Sequence, residues 1–354
     1  MKESKAAMSS DRTAPVASRS PKSAGVQRLR FYSQLFSLGI NVWIGVQFYL
    51  WVKYIESQGV AWAVSRPPGV EGWLPIGSLV SLRYWWESGI VNDIHPSGMI
   101  VFAVILTVGF LFKKGFCGWI CPVGFISEAL GDLSDKLWGR RLKPPRWLDY
   151  PLRSLKYILL GFFLWAVLLS MTPQSIKEFV YSDYNVVTDI LMLRFFTAIT
   201  PLALVVIAAL FVLSLVVRGF WCRYLCPYGA LLGLIGLVSP TRIRRNEATC
   251  IDCASCRHAC PAFIKVDQVA EVVSDECVGC MACVDACPVR QTLQVKAVRK
   301  RWAVPTWKWA AALLVVFWVT LLGFKLMGPW ANGVSDKEYM QRIEPAYSGQ
   351  YGHP

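Results

Sequence analysis

Cys250, Cys253, Cys256 and Cys260, with Pro261 next, form a C-x2-C-x2-C-x3-C-P run; 27 residues on, Cys277, Cys280, Cys283, Cys287 and Pro288 repeat it without departure. A cubane cluster needs thiolates on three adjoining corners, and a C-x2-C-x2-C loop wraps one cluster to supply them. In two-cluster ferredoxins the fourth ligand comes from the other run. The expected sets are therefore Cys250, Cys253, Cys256 and Cys287 for one 4Fe-4S cluster, and Cys277, Cys280, Cys283 and Cys260 for a second. Structural zinc favours two separated C-x2-C pairs, and stable disulfides are rare in a reducing compartment.

The other four cysteines belong to an internal repeat. A shift of 105 residues lays Cys117 on Cys222, Cys121 on Cys226, Pro122 on Pro227 and Gly124 on Gly229. Each C-x-x-x-C-P-x-G follows an apolar run and a basic residue, Lys114 or Arg218. A residue before proline is pushed out of the helical region, so each motif reads as a turn entering a helix. After the first copy Phe125, Ile126, Ala129, Leu130, Leu133 and Leu137 make one apolar helical face, with Glu128, Asp132 and Asp135 opposite. After the second, Leu231 to Leu237 is apolar nearly all round. Three readings of Cys117, Cys121, Cys222 and Cys226 stay open: one four-thiolate metal or cluster site, a redox-active thiol pair, or small polarizable side chains packing a tight turn.

These loops must be positioned by something largely apolar. The 354 residues are 55% hydrophobic and 17% charged, with 16 Trp, and mean hydropathy is +0.41; soluble domains carry about 25% charged residues. Apolar runs near 35–54, 98–112, 155–172, 198–217 and 307–326 approach the roughly 20 residues that cross a bilayer core. Segments 1–32, 113–156 and 218–308 together carry +16, whereas 57–96, 173–197 and the tail from 325 carry −2. The alternation follows the positive-inside rule, so the net charge of +14 reads as topology rather than as a nucleic-acid surface. The N-terminus is expected in the cytoplasm and the C-terminus in the periplasm.

The expected fold is mainly α: a polytopic membrane protein of about five transmembrane helices, two pseudo-repeated hairpins plus a C-terminal span, with a cytoplasmic two-cluster ferredoxin-like α+β segment. The expected organisation is a disordered basic tail (1–32), a first hairpin repeat (33–138), a second (139–240), the ferredoxin segment (241–300), a fifth span (301–328) and a periplasmic tail (329–354). No haem or flavin is expected; the three histidines are His95, His258 and His353, and no C-x-x-C-H occurs. Asn41 and Gln47 read as backbone partners within the first span, and Asp183, Asn185 and Asp189 as a solvated loop. Trp73, Tyr84, Trp85 and Trp86 read as interfacial anchors, and Arg242, Arg244 and Arg245 as a positive-inside anchor.

Together the spans, the paired C-x-x-x-C-P turns and the two-cluster segment resemble the membrane ferredoxins of the NapH type and the C-terminal half of NosR, and among them the YccM-like electron transport proteins. Stretches 71–76 (EGWLPI), 146–157 (RWLDYPLRSLKY) and 222–232 (CRYLCPYGALL) carry the resemblance along with all twelve cysteines. The resemblance implies an inner-membrane electron carrier, rather than a substrate-converting enzyme, working between a quinone pool or membrane partner and a reductase system. An accessory factor that reduces a metal or thiol during enzyme assembly, and a redox-sensing membrane regulator, are the alternatives.

Overall fold

The structure, a computed structural model, describes residues 24–139, 144–297 and 302–351. Helix α1 (Ala24–Glu56) is about 50 Å long at 1.5 Å per residue, well beyond a hydrocarbon core of about 30 Å. Its start at Ala24 corrects the expected disorder to residue 32; residues 1–23 lie outside the described residues, as does His353. The first repeat comprises α2 (Pro75–Ser88), α3 (Pro96–Leu111), the short α4 (Gly115–Trp119) and α5 (Pro122–Trp138). Prolines open α2, α3 and α5, where a missing N–H costs nothing.

The second repeat comprises α6 (Arg146–Trp165), running on into a π-helical turn at Ala166–Ser170, then α7 (Pro173–Val180), α8 (Asp183–Val186), α9 (Thr188–Thr197) and α10 (Pro201–Val216). A second π-helical turn, Trp221–Leu225, stands where the first repeat has α4, and α11 (Pro227–Leu237) follows. The cysteine segment carries α12 (Ser255–Ala259) and α13 (Ala282–Asp285) between strands β1 (Thr241–Arg245) and β2 (Leu293–Ala297). These strands pair antiparallel with Ile243 opposite Val295. Strand β3 (Ala303–Val304) adds to β2 and leads into α14 (Thr306–Met327) and α15 (Asp336–Tyr347).

Three helices are long and apolar enough to cross a membrane by themselves: Gly25–Glu56, Arg146–Ser170 and Thr306–Met327. The pair α9 and α10, bent by 79°, qualifies as a fourth. Helix α3, expected as a span, has 16 residues. Its place explains why it can be short. Met99, Ile100, Val104, Ile105 and Val108 are buried against Leu232 of α11 and Leu313 and Phe317 of α14, so α3 contacts protein rather than lipid along much of its length. On α10 the apolar residues face outward instead: Leu202, Val205 and Val212 are all more than half exposed. Outward apolar side chains on a helix with a single buried residue, Ser214, suit a lipid solvent.

Helix α5 reverses the soluble pattern. Its buried positions are Ser127, Gly131, Ser134 and Asp135, while Ile126, Leu133 and Leu137 are exposed. The acidic side is turned inward because Arg30 pairs with Glu128, and Arg218 pairs with Asp132 and Asp135. Its apolar face is left to whatever surrounds the protein.

Candidate functional site

The two cysteine loops have the same backbone. Asp252 and Ala254 in the first, and Gly279 and Met281 in the second, occupy the left-handed region (φ 51°, 56°, 61° and 61°). These positions flank the middle cysteine of each loop and correspond under the 27-residue shift. Alternating right- and left-handed residues turn successive N–H groups into one concavity, a nest that suits an anionic centre. One cavity is lined by Cys250, Cys253, Cys256 and Cys287. Another is lined by Cys260, Cys277, Cys280 and Cys283. All eight thiols are free. Such a donor set fits an iron–sulfur cluster: four soft sulfur ligands per cavity, with backbone donors beside them.

The two cavities differ in exposure. Around the first, Cys253 is exposed, Cys250 and Cys287 are half-buried and Cys256 is buried, whereas the four thiols of the second, Cys260, Cys277, Cys280 and Cys283, are all buried. Burial pushes the Cys256 thiol up to about 11 and Cys260 up to about 12. The exposed Cys253 is shifted down instead, chiefly by a hydrogen bond from Ser255. Metal binding must expel the thiol protons, so assembly at these loops becomes more favourable as pH rises. His258 sits on α12 but does not line either cavity.

The second loop is pressed against the first C-x-x-x-C-P turn. The Trp119 indole donates to the Gly279 carbonyl (3.0 Å), and a Cβ on Gly118 would stand 2.6 Å from the Val278 carbonyl oxygen. Helix α1 clamps the pair: Gln27 donates to the Cys280 carbonyl and Asp285, Arg30 and Gln34 to the Gly118 carbonyl, and Ser33 to that of Trp119. Gly118→Ala should therefore cost about 1–3 kcal/mol, the usual penalty for overpacking. A lowered thermal midpoint in detergent would register it, whereas Gly161→Ala, with open space around its Cβ position, should be neutral.

Residues 146–157 explain themselves here. Asp149 accepts from Arg223 and Tyr224 of the second turn. Lys156 pairs with Glu276 and Tyr157 donates to Asp275, the two residues that precede Cys277. Arg242 and Arg244, expected as a membrane anchor, lie on β1 and pair with Glu271.

Cys117, Cys121, Cys222 and Cys226 all line one large cavity of about 590 Å³. Its polar wall adds Lys114, Ser127, Glu128, Arg223 and Glu276; its apolar wall runs past Ile105, Phe317 and Leu321 to Trp73 and Trp330. Asn41 lines it too, donating to the Ser37 carbonyl and accepting from the Trp73 indole (3.0 Å). Gln47 bonds Ser65 instead. The aromatic group expected as anchors is split: Trp73 lines the cavity, Tyr84 is buried, and Trp86 is 82% exposed.

At the other end of α1 and α3 lies an ion network that sequence reasoning missed. Arg66 pairs with Glu71 (2.8 Å) and Asp189 (2.7 Å), both carboxylates fully buried. Glu71 also accepts from Ser97 and from the Gly98 N–H (3.1 Å), and His95 meets Glu71 and the Asn185 carbonyl. Asp189 and Asn185, expected in solvent, are therefore buried; Asp183 does stay exposed, against Arg342. The cysteines are all at the opposite end of these helices from this network.

Two comparisons with known families agree on the cysteines. A model described as "4Fe-4S binding domain" matches residues 94–141 and again 199–246, one match per repeat. A model described as "4Fe-4S dicluster domain" matches 243–295. YccM of Escherichia coli (strain K12), a protein named for electron transport, is 41% identical over 319 residues, 89% of each chain. The chain belongs to the YccM family. Members of the wider group are similar over shorter stretches. The ferredoxin-type protein NapH of Haemophilus influenzae is 33% identical over 45% of this chain and 51% of its own. MauN of Methylorubrum extorquens, a methylamine utilization ferredoxin-type protein, is 35% identical over 47% of this chain and 54% of its own. No solved structure matches. This YccM relative carries 4Fe-4S binding domains together with apolar helices of membrane-crossing length.

Proposed function

We propose that the protein is a membrane-bound electron carrier with one 4Fe-4S cluster on Cys250, Cys253, Cys256 and Cys287 and a second on Cys277, Cys280, Cys283 and Cys260. It passes single electrons between the quinone pool, or a membrane partner, and a reductase system. The observation that carries this reading is the crossed lining of the two cavities, three cysteines from one loop and the fourth from the other. Likeness to YccM and to the ferredoxin-type NapH and MauN supports it.

Bound clusters would supply one-electron exchange without bond rearrangement. The chain does the rest. Left-handed backbone positions aim N–H groups into each cavity, and Gln27, Arg30 and Trp119 fix the inner loop to the helices. The outer loop, with Cys253 exposed, offers a face to a soluble partner. The inner loop abuts the turn that lines the large, mainly apolar cavity, a size suited to a small-molecule ligand and here read as the quinone side. The charge alternation supports a bacterial inner-membrane location with the clusters in the cytoplasm. Five crossings are proposed on α1, α3, α6, the bent α9–α10 pair and α14, with the domain boundaries expected from the sequence except at the N-terminus, where α1 begins at Ala24.

Anaerobically purified protein should be brown and hold at least about eight iron per chain, and a soluble quinol should bleach it and elicit reduced-cluster EPR signals. A colourless or zinc-loaded preparation would refute the clusters. A brown one indifferent to quinol, yet reduced by a membrane partner, would remove the quinone side alone.

A further inference from the structure

The "4Fe-4S binding domain" model matches each repeat separately, yet each repeat brings only two cysteines, half the ligands of a cubane. The fold resolves the shortfall by bringing both pairs to the lining of one cavity. Each of the four thiols stands within the electrostatic reach of the other three. Helices α5 and α11, of 17 and 11 residues, start at Pro122 and Pro227, so Cys121 and Cys226 are their N-caps. The Gly229 N–H donates to the Cys226 sulfur (3.2 Å). On the other side the N–H groups of Val123 and Gly124 point at the Cys121 sulfur. Both helix dipoles thus favour negative charge at the same place.

Lys114 is a second, independent pointer. It is 4% exposed and lines the cavity beside the thiols. Its nearest carboxylate, on Glu276, is 4.0 Å away, beyond hydrogen-bond range, and that carboxylate already accepts from Lys156. A buried ammonium calls for a close anion, which thiolates carrying a metal centre would provide.

We propose that Cys117, Cys121, Cys222 and Cys226 jointly hold one further centre, a third 4Fe-4S cluster with two ligands from each repeat and Lys114 as its counter-charge. The site also lies where an electron path needs it. Gly118, in the first turn, touches Val278, next to Cys277, and the same turn opens on the large cavity. The centre would accept one electron from the inner-loop cluster, or return one to it, with no other bond changing. Its existence does not depend on the quinone reading above; its role as the link to that cavity does.

Iron and acid-labile sulfide should number about twelve each per chain in anaerobically reconstituted protein. In Cys117→Ala/Cys222→Ala both should fall to about eight, with the ferredoxin-type EPR signals kept. The converse variant, Cys253→Ala/Cys280→Ala, should retain about four iron, as a signal of its own. Eight iron in the unaltered protein overturns the proposal whatever the variants do, as does one zinc per chain that vanishes with Cys117 and Cys222. No iron in either form would sink the electron-carrier reading as well, whereas eight sinks this inference alone.

Discussion

In protein carrying Cys287→Ala, iron should fall by about four atoms per chain, and the cluster lost should be the one framed by Cys250, Cys253 and Cys256, not the one in its own loop. Cys287 lines the first cavity although the other three cysteines of its own run, Cys277, Cys280 and Cys283, line the second. Pairing variants makes the test independent of spectral assignment. Cys253→Ala/Cys287→Ala should lose no more iron than either single change, because both remove ligands of one cluster. Cys280→Ala/Cys287→Ala should lose both clusters, about eight iron. The reverse pattern, additive for Cys253 and non-additive for Cys280, would show that each loop keeps its own fourth ligand. Non-additivity within a unit and additivity between units is the general behaviour of coupled sites.

A second large effect is expected at the end without cysteines. Arg66→Met leaves Glu71 and Asp189 buried without their cation, and breaking a buried pair on one side typically costs 3–5 kcal/mol, about the same range expected here. Arg342→Met, whose partner Asp183 is 53% exposed, should cost at most about 1 kcal/mol. Thermal midpoints in detergent would compare the two, and equal midpoints would mean that water reaches the Arg66 site. The pH dependence adds a sign. Burial raises the Glu71 carboxyl, but Arg66 first, then His95 and Ser97, outweigh it and hold it at about 2 against an ordinary 4.5. Its contribution is thus complete above about 4.5 and is lost as pH falls toward 2. Without Arg66 burial prevails, so the variant should gain stability relative to the parent as the medium is acidified.

What could be read from the sequence was what is local. The cysteine loops declare themselves because their thiols lie three residues apart, and the crossed lining of the two cavities follows the pattern that this spacing leads one to expect. The 105-residue repeat was visible because both turns kept Cys, Pro and Gly at the same offsets. By contrast, Arg66 and Asp189 are 123 residues apart, and nothing in a loop sequence marks an aspartate as buried. Similarly, the sequence of α5 shows an apolar face with Glu128, Asp132 and Asp135 opposite it. Only the arrival of Arg30 and Arg218 from other elements shows that the acidic face turns inward. The spans were harder because length is a proxy for lipid contact: α3, held by protein on most sides, need not obey it, and α9–α10 meets it only with a 79° bend. EGWLPI stood out as a string, yet its glutamate acquires meaning only from Ser97, Gly98 and Arg66.

The one-sided placement of the thiols has an electrical consequence. If, as proposed, the protein takes up and gives off electrons at that one face, nothing moves through the insulating layer, and its turnover should neither build nor consume voltage. Any coupling to the transmembrane potential would have to come from where protons are taken up and released, or from a partner on the far face.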